Sequence, residues 1–231
     1  MGILVIIIVF AIISFAVNQR LKNKFKKYSK EPLRSGLSGR DVAEKMLHDN
    51  GIYDVQVVSV QGHLSDHYNP TNKTVNLSQE VYHGRSIAAA AVASHECGHA
   101  VQHAKAYGML QLRTALVPLQ SISGKIMNFL FLAMIFGGSF LYSTFPMDGI
   151  LLIIIAAYAV FTLFAFITLP VEFDASNRAL AWIDAKGIVS SQEHEGAKDA
   201  LKWAAMTYVV AAIASLVTLL YYIMAFLGAR D

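Results

Sequence analysis

A single cysteine, Cys97, stands in a chain of 231 residues, so no internal disulfide can form. Charge is scarce as well: Asp, Glu, Lys and Arg make up 15% of the chain, where soluble domains carry about 25%. The net charge is only +3, and no segment interleaves basic with aromatic residues, so nothing here reads nucleic acid. Internal repeats and low-complexity tracts are missing too. What the chain has in excess is apolar residues, 55% of the total, with a mean hydropathy of +0.46.

These residues gather into four runs: Gly2–Val17, about Ile126–Ser143 with an extension back to Leu116, Gly149–Pro170, and about Met206–Leu227. The last three reach or approach the ~18–20 apolar residues that cross a bilayer core, and the first is short by that test. A cleaved signal peptide carries its basic residues before the apolar stretch. Here Arg20, Lys22, Lys24, Lys26, Lys27 and Lys30 follow it, so the run reads as an uncleaved anchor with its N-terminus outside. That orientation leaves all but one of the 19 basic residues, Arg230, on the cytoplasmic side. The expectation is a multi-pass cell-membrane protein with spans at 1–17, 116–143, 149–170 and 206–228. Cytoplasmic segments at 18–115 and 171–205 complete it.

Within the first cytoplasmic segment, Arg20–Gly39 reads as a basic linker, either against the lipid surface or solvated. Ser38 and Asp41 resemble a capping box before a short helix that Gly51 stops. Tyr53–Gln61 is rich in β-branched residues and reads as a strand. His67–Val75 reads as a strand, a turn through Asn69–Asn72, and a return through Thr74–Leu77. Ser86 then caps an alanine-rich helix, expected to run from Ile87 to about Tyr107 and stop at Gly108.

On that helix lies His95-Glu96-Cys97-Gly98-His99. Two histidines four residues apart share one helix face, so both imidazoles can bind one metal ion. Glu96 sits beside that ion without binding it and can take a proton from a water there, as general base. Zinc is the expected metal, one ion, acting as Lewis acid. Two histidines leave a third ligand to be found. Glu172 is the first candidate, because the third span emerges there on the face of the catalytic helix. His103 is the rival, but no glycine turn follows His99 to redirect the chain as metzincins require, so it reads as a polar neighbour or as a group that supports a ligand from behind. His67 and Tyr68 lead the candidates for oxyanion or substrate contacts, ahead of His83, Arg178 and His194. Cys97 points off the histidine face and reads as a packed thiol. Ser190–Glu193 resembles a capping box opening a further helix through Trp203.

His67-Tyr68-Asn69-Pro70, Val92–His103 and Leu169–Ser176 together resemble the bacterial YugP-like neutral zinc metallopeptidases, and the resemblance spans essentially the whole chain. It implies a membrane zinc peptidase similar in plan to the HtpX and CAAX-prenyl protease group. His95, His99 and Glu172 would be ligands and Glu96 the base. The HtpX-type pattern tends to place an Asp four residues after the ligand Glu. That position is Ser176 here, with Asp174 displaced by two, so either can support a metal-bound histidine from behind.

The expected fold is therefore mainly α: four transmembrane helices with a small α+β zincin-like unit of gluzincin type. The expected reaction is hydrolysis of peptide bonds in membrane or membrane-proximal polypeptides. The competing expectation is a catalytically inactive membrane scaffold with a structural metal site, and Glu96 separates the two.

Overall fold

The computed structural model describes residues 2–144 and 146–228, the side chains of 138–144 excepted. Arg230, the basic residue expected outside, lies beyond the described residues. The chain is mainly helical: α1 (Gly2–Tyr28), α2 (Gly39–Asp49), β1 (Gln56–Val60), β2 (His67–Asn69), β3 (Thr74–Ser78), α3 (Gln79–His83), α4 (Ile87–Ala104), α5 (Gly108–Thr144), α6 (Met147–Ala185) and α7 (Ser191–Gly228). Among the described residues, four helices are long and apolar enough to cross a membrane: α1, α5 as far as Gly137, α6 and α7. The chain divides into two compact units.

The first unit comprises 2–14, 112–169 and 208–228. Its small core joins Leu130, Ile150 and Ile154, with Tyr158 and Tyr222 against them. Around it large apolar side chains are bare, Phe136 to 84% and Met224 to 72%. Such exposure is unfavourable in water and natural against hydrocarbon. Gly137 takes non-helical angles (φ −132°, ψ 24°) and interrupts α5.

The second unit comprises Phe15–Gln111 and Pro170–Thr207. Its three strands lie in the order β1-β3-β2, with β1 parallel and β2 antiparallel to the central β3. Val75 and Leu77 of β3 are fully buried. They meet Val42 and Met46 of α2, Val81 of α3 and the alanine face of α4 in one core, which Ile183 of α6 and Leu201 of α7 complete. The box that starts α2 forms with Asp: Asp41 N–H donates to Ser38 Oγ (3.2 Å) and Ser38 N–H to Asp41 Oδ2 (2.9 Å). Gly51 follows at φ +71°, a conformation that costs glycine little.

Several element ends differ from the sequence expectation. Arg20–Tyr28 is not linker but the continuation of α1. Phe25 and Tyr28 are buried in the unit's core, and Asp199 of α7 receives both Lys24 Nζ (2.6 Å) and Tyr28 Oη (2.7 Å). Lys22, Lys26 and Lys27 stay exposed on this helix. Gly108 does not end α4. That helix stops at Ala104, Ala106 turns into the left-handed region (φ 49°), and Gly108 opens α5. The first strand is the shorter Gln56–Val60. Helix α6 runs on through Pro170, which removes one backbone donor without ending a helix packed on both sides of it. Helix α7 runs unbroken from Ser191 to Gly228. Ser190 and Glu193 form the expected box at its start.

Candidate metal centre

The alanines of α4 let backbone approach backbone. Ser86 Oγ accepts from Ala89 N–H at the helix start, and Ala88–Ala91 are all at most 2% exposed. The closest approach comes at Gly98, where an added Cβ would lie 2.6 Å from the carbonyl oxygen of Ala175 on α6 and 3.0 Å from its Cα. Only a glycine permits that contact, and it brings Glu172, one turn earlier on α6, across to the histidine face of α4. We expect Gly98→Ala to lower zinc content and thermal stability together while leaving every ligand in the chain. Forcing backbone from backbone in a packed interior costs about 1–3 kcal/mol. Parent-like zinc content in that variant would show that the close approach does not matter.

The result of the approach is a cluster of three donors. Atoms of His95, His99 and Glu172 that could each bind a metal all lie within 4.8 Å of one another. Glu172 Oε2 is 3.4 Å from His95 Nε2 and 3.6 Å from His99 Nε2. The two rings stand nearly perpendicular, at 82°. The side chains are 13%, 12% and 4% exposed in that order.

This donor set fits zinc. Two imidazole nitrogens and one carboxylate oxygen are donors zinc accepts, and tetrahedral bonds of ~2.0–2.1 Å set ligand atoms about 3.3 Å apart. The local field favours a cation too. Burial alone would depress the His99 pKa, but the hydrogen bond to Glu172 and the charges of Glu96 and Glu172 outweigh it and move it upward.

Residues 3–227 match the family described as "Putative neutral zinc metallopeptidase". The chain belongs to this family. It is also 44% identical over 219 residues to the "Putative membrane protease YugP" of Bacillus subtilis (strain 168), across 95% of this chain and 94% of that protein. No solved structure matches it.

In this zinc metallopeptidase family member the imidazole nitrogens turned away from the cluster also have partners. His95 Nδ1 lies 3.1 Å from Ser176 Oγ. A neutral hydroxyl thus stands where the HtpX-type pattern carries a carboxylate. His99 Nδ1 lies 3.0 Å from Gln102 Oε1. Asp174 touches neither ring directly: its Oδ2 accepts from Gln102 Nε2 (2.8 Å) and from Arg178 Nε (2.6 Å). Gln102 is the site residue that sequence reasoning missed. Its one signal was its place three residues after His99, which puts it beside that ring on the helix.

Glu96, 8% exposed, accepts a hydrogen bond from the Tyr68 backbone N–H (3.0 Å) and is thereby tied to β2. Tyr68 Oη lies 3.0 Å from His103 Nδ1. Burial, then the charge of Asp54, raise the Tyr68 pKa, so the phenol keeps its proton. His103 is an exposed partner of Tyr68, outside the three-donor cluster. His67 is exposed, with Nδ1 2.8 Å from the Ser65 carbonyl. His83 is exposed at the end of α3. Arg178 is engaged with Asp174, and its guanidinium lies 5.8 Å from the Tyr107 ring centroid. His194 sits in the first turn of α7, its N–H donating to the Ser190 carbonyl. The Cys97 thiol is fully buried, 3.5 Å from the Ala43 carbonyl oxygen. Its pKa is pushed up, chiefly by burial.

Proposed function

We propose that this protein is a membrane zinc endopeptidase of the gluzincin type, with a zincin-like arrangement of one small sheet beside the helix that carries His95-Glu96-Cys97-Gly98-His99. The observation that carries the reading is the convergence of His95, His99 and Glu172, two ligands from one helix and the third from a distant one. These three residues would hold a single zinc ion. The bound ion supplies Lewis acidity and makes water acidic near neutral pH.

Glu96 is the general base. Its carboxylate, steadied by the Tyr68 N–H, takes a proton from the attacking water and delivers it to the leaving amine. The protonated Tyr68 hydroxyl is the candidate donor to the developing oxyanion, with His103 orienting it. Mutual alignment is the chain's contribution: base, ligands and donor come from β2, α4 and α6, which a packed core holds in register. The direct test is peptide cleavage by purified protein compared with the same protein carrying Glu96→Gln.

The charge pattern supports an N-terminus outside and the catalytic residues on the cytoplasmic face, since Arg and Lys crowd 18–115 and 171–205. Substrates would then be polypeptides at or near that face of the bilayer. A reporter fused after Gly108 should register as cytoplasmic in cells. An extracellular signal from it overturns the orientation.

A further inference from the structure

Gln102 has no exposed surface, yet it carries a carboxamide with four hydrogen-bonding positions. A buried amide survives only if its partners are in place. Here they are. Nε2 lies 2.7 Å from the Val171 carbonyl oxygen and 2.8 Å from Asp174 Oδ2. Both partners only accept, so the amino end of the carboxamide must face them and its oxygen must face His99. That oxygen lies 3.0 Å from His99 Nδ1 and can only accept, so His99 donates from Nδ1. A neutral His99 with its proton on Nδ1 offers its lone pair at Nε2, on the Glu172 side at 3.6 Å, to a cation. Asp174 is itself held by Arg178 at 2.6 Å.

His95 lacks such a device. Its Nδ1 faces the Ser176 hydroxyl, which can accept or donate and so imposes no tautomer. The two histidines look equivalent in sequence but are not held equally.

We propose that Gln102 is a positioning residue: through Asp174 and the Val171 carbonyl it fixes His99 as the Nδ1–H tautomer, and so sets how tightly the centre holds zinc. The inference rests on the zinc-peptidase reading and adds its determinant of affinity. Arg178 and Asp174 act through Gln102 rather than on the metal. Carbon-for-polar exchange at this position removes the acceptor behind His99 without touching any ligand.

The test is zinc affinity of the full-length, detergent-purified protein, measured by competition with a chelator. Gln102→Leu should weaken zinc about 10–100-fold, the usual cost of losing a partner behind a ligand. Nitrogen-15 NMR of the imidazoles in the metal-free parent at alkaline pH should show neutral His99 with its proton on Nδ1, a signature that a role confined to filling space or joining α4 to α6 does not predict. That measurement decides the matter alone if Gln102→Leu fails to fold. Parent-like zinc affinity in Gln102→Leu, or a neutral His99 protonated at Nε2 in the parent, overturns the proposal. A parent protein that binds no zinc instead overturns the zinc-peptidase reading, and the role of Gln102 with it.

Discussion

Glu96→Gln should abolish peptide cleavage while the purified protein keeps its full zinc content. The exchange is nearly isosteric, and a carboxamide oxygen can still accept the Tyr68 N–H that Glu96 accepts at 3.0 Å. The fold around β2 and α4 therefore has no reason to change. What is lost is the ability to take a proton from water and return it to the amine. A positioned general base contributes about 10²–10⁴ in rate, and here one side chain serves both transfers, so the loss should reach at least that range. Zinc should be unaffected because Glu96 lies outside the three-donor cluster. Rate and bound metal are measured on the same preparation. Cleavage at the parent rate sinks the peptidase reading and leaves the scaffold with a structural metal.

Glu172→Ala should instead empty the centre. Glu172 is 3% exposed, and its Oε2 stands 3.4 and 3.6 Å from the two histidine nitrogens. Two imidazoles on one helix turn cannot hold zinc tightly without a third donor. Removing a ligand should therefore weaken zinc by more than the ~10–100-fold that partners behind ligands cost. Metal analysis after gel filtration reads the outcome, with the thermal transition of the metal-free protein as the check on folding. Unchanged zinc content removes Glu172 from the ligand set. The two variants separate the roles: Glu96→Gln loses rate with metal kept, and Glu172→Ala loses both.

The centre was legible where a local period governs it. A helix brings residues four apart to one face, so His95 and His99 announced themselves, with Glu96 between them. Glu172 was legible more indirectly, through the order of the apolar runs. Helix ends were less so. The lysines between Arg20 and Lys30 suggested a linker, yet they decorate a helix whose inward residues, Phe25 and Tyr28, are only 4% and 6% exposed. Nothing local says that Asp199 waits to receive Lys24 and Tyr28.

By itself, then, the sequence determined that the protein is helical and apolar, with a helix that sets two histidines on one face and a glutamate between them. Those are consequences of composition and of the 3.6-residue period. Only the tertiary structure decided that Gly98 lets α4 meet Ala175, that Ser176 rather than Asp174 backs His95, and that a buried Gln102 backs His99. Gln102 shares a helix turn with His99, but what holds it there, like the other two contacts, comes across a helix–helix interface, 69 to 81 residues apart in the chain for the Gln102–Val171 and His95–Ser176 pairs. The physical reason is that no short-range period encodes them: burial and hydrogen-bond partners at such positions are set by which backbone arrives opposite.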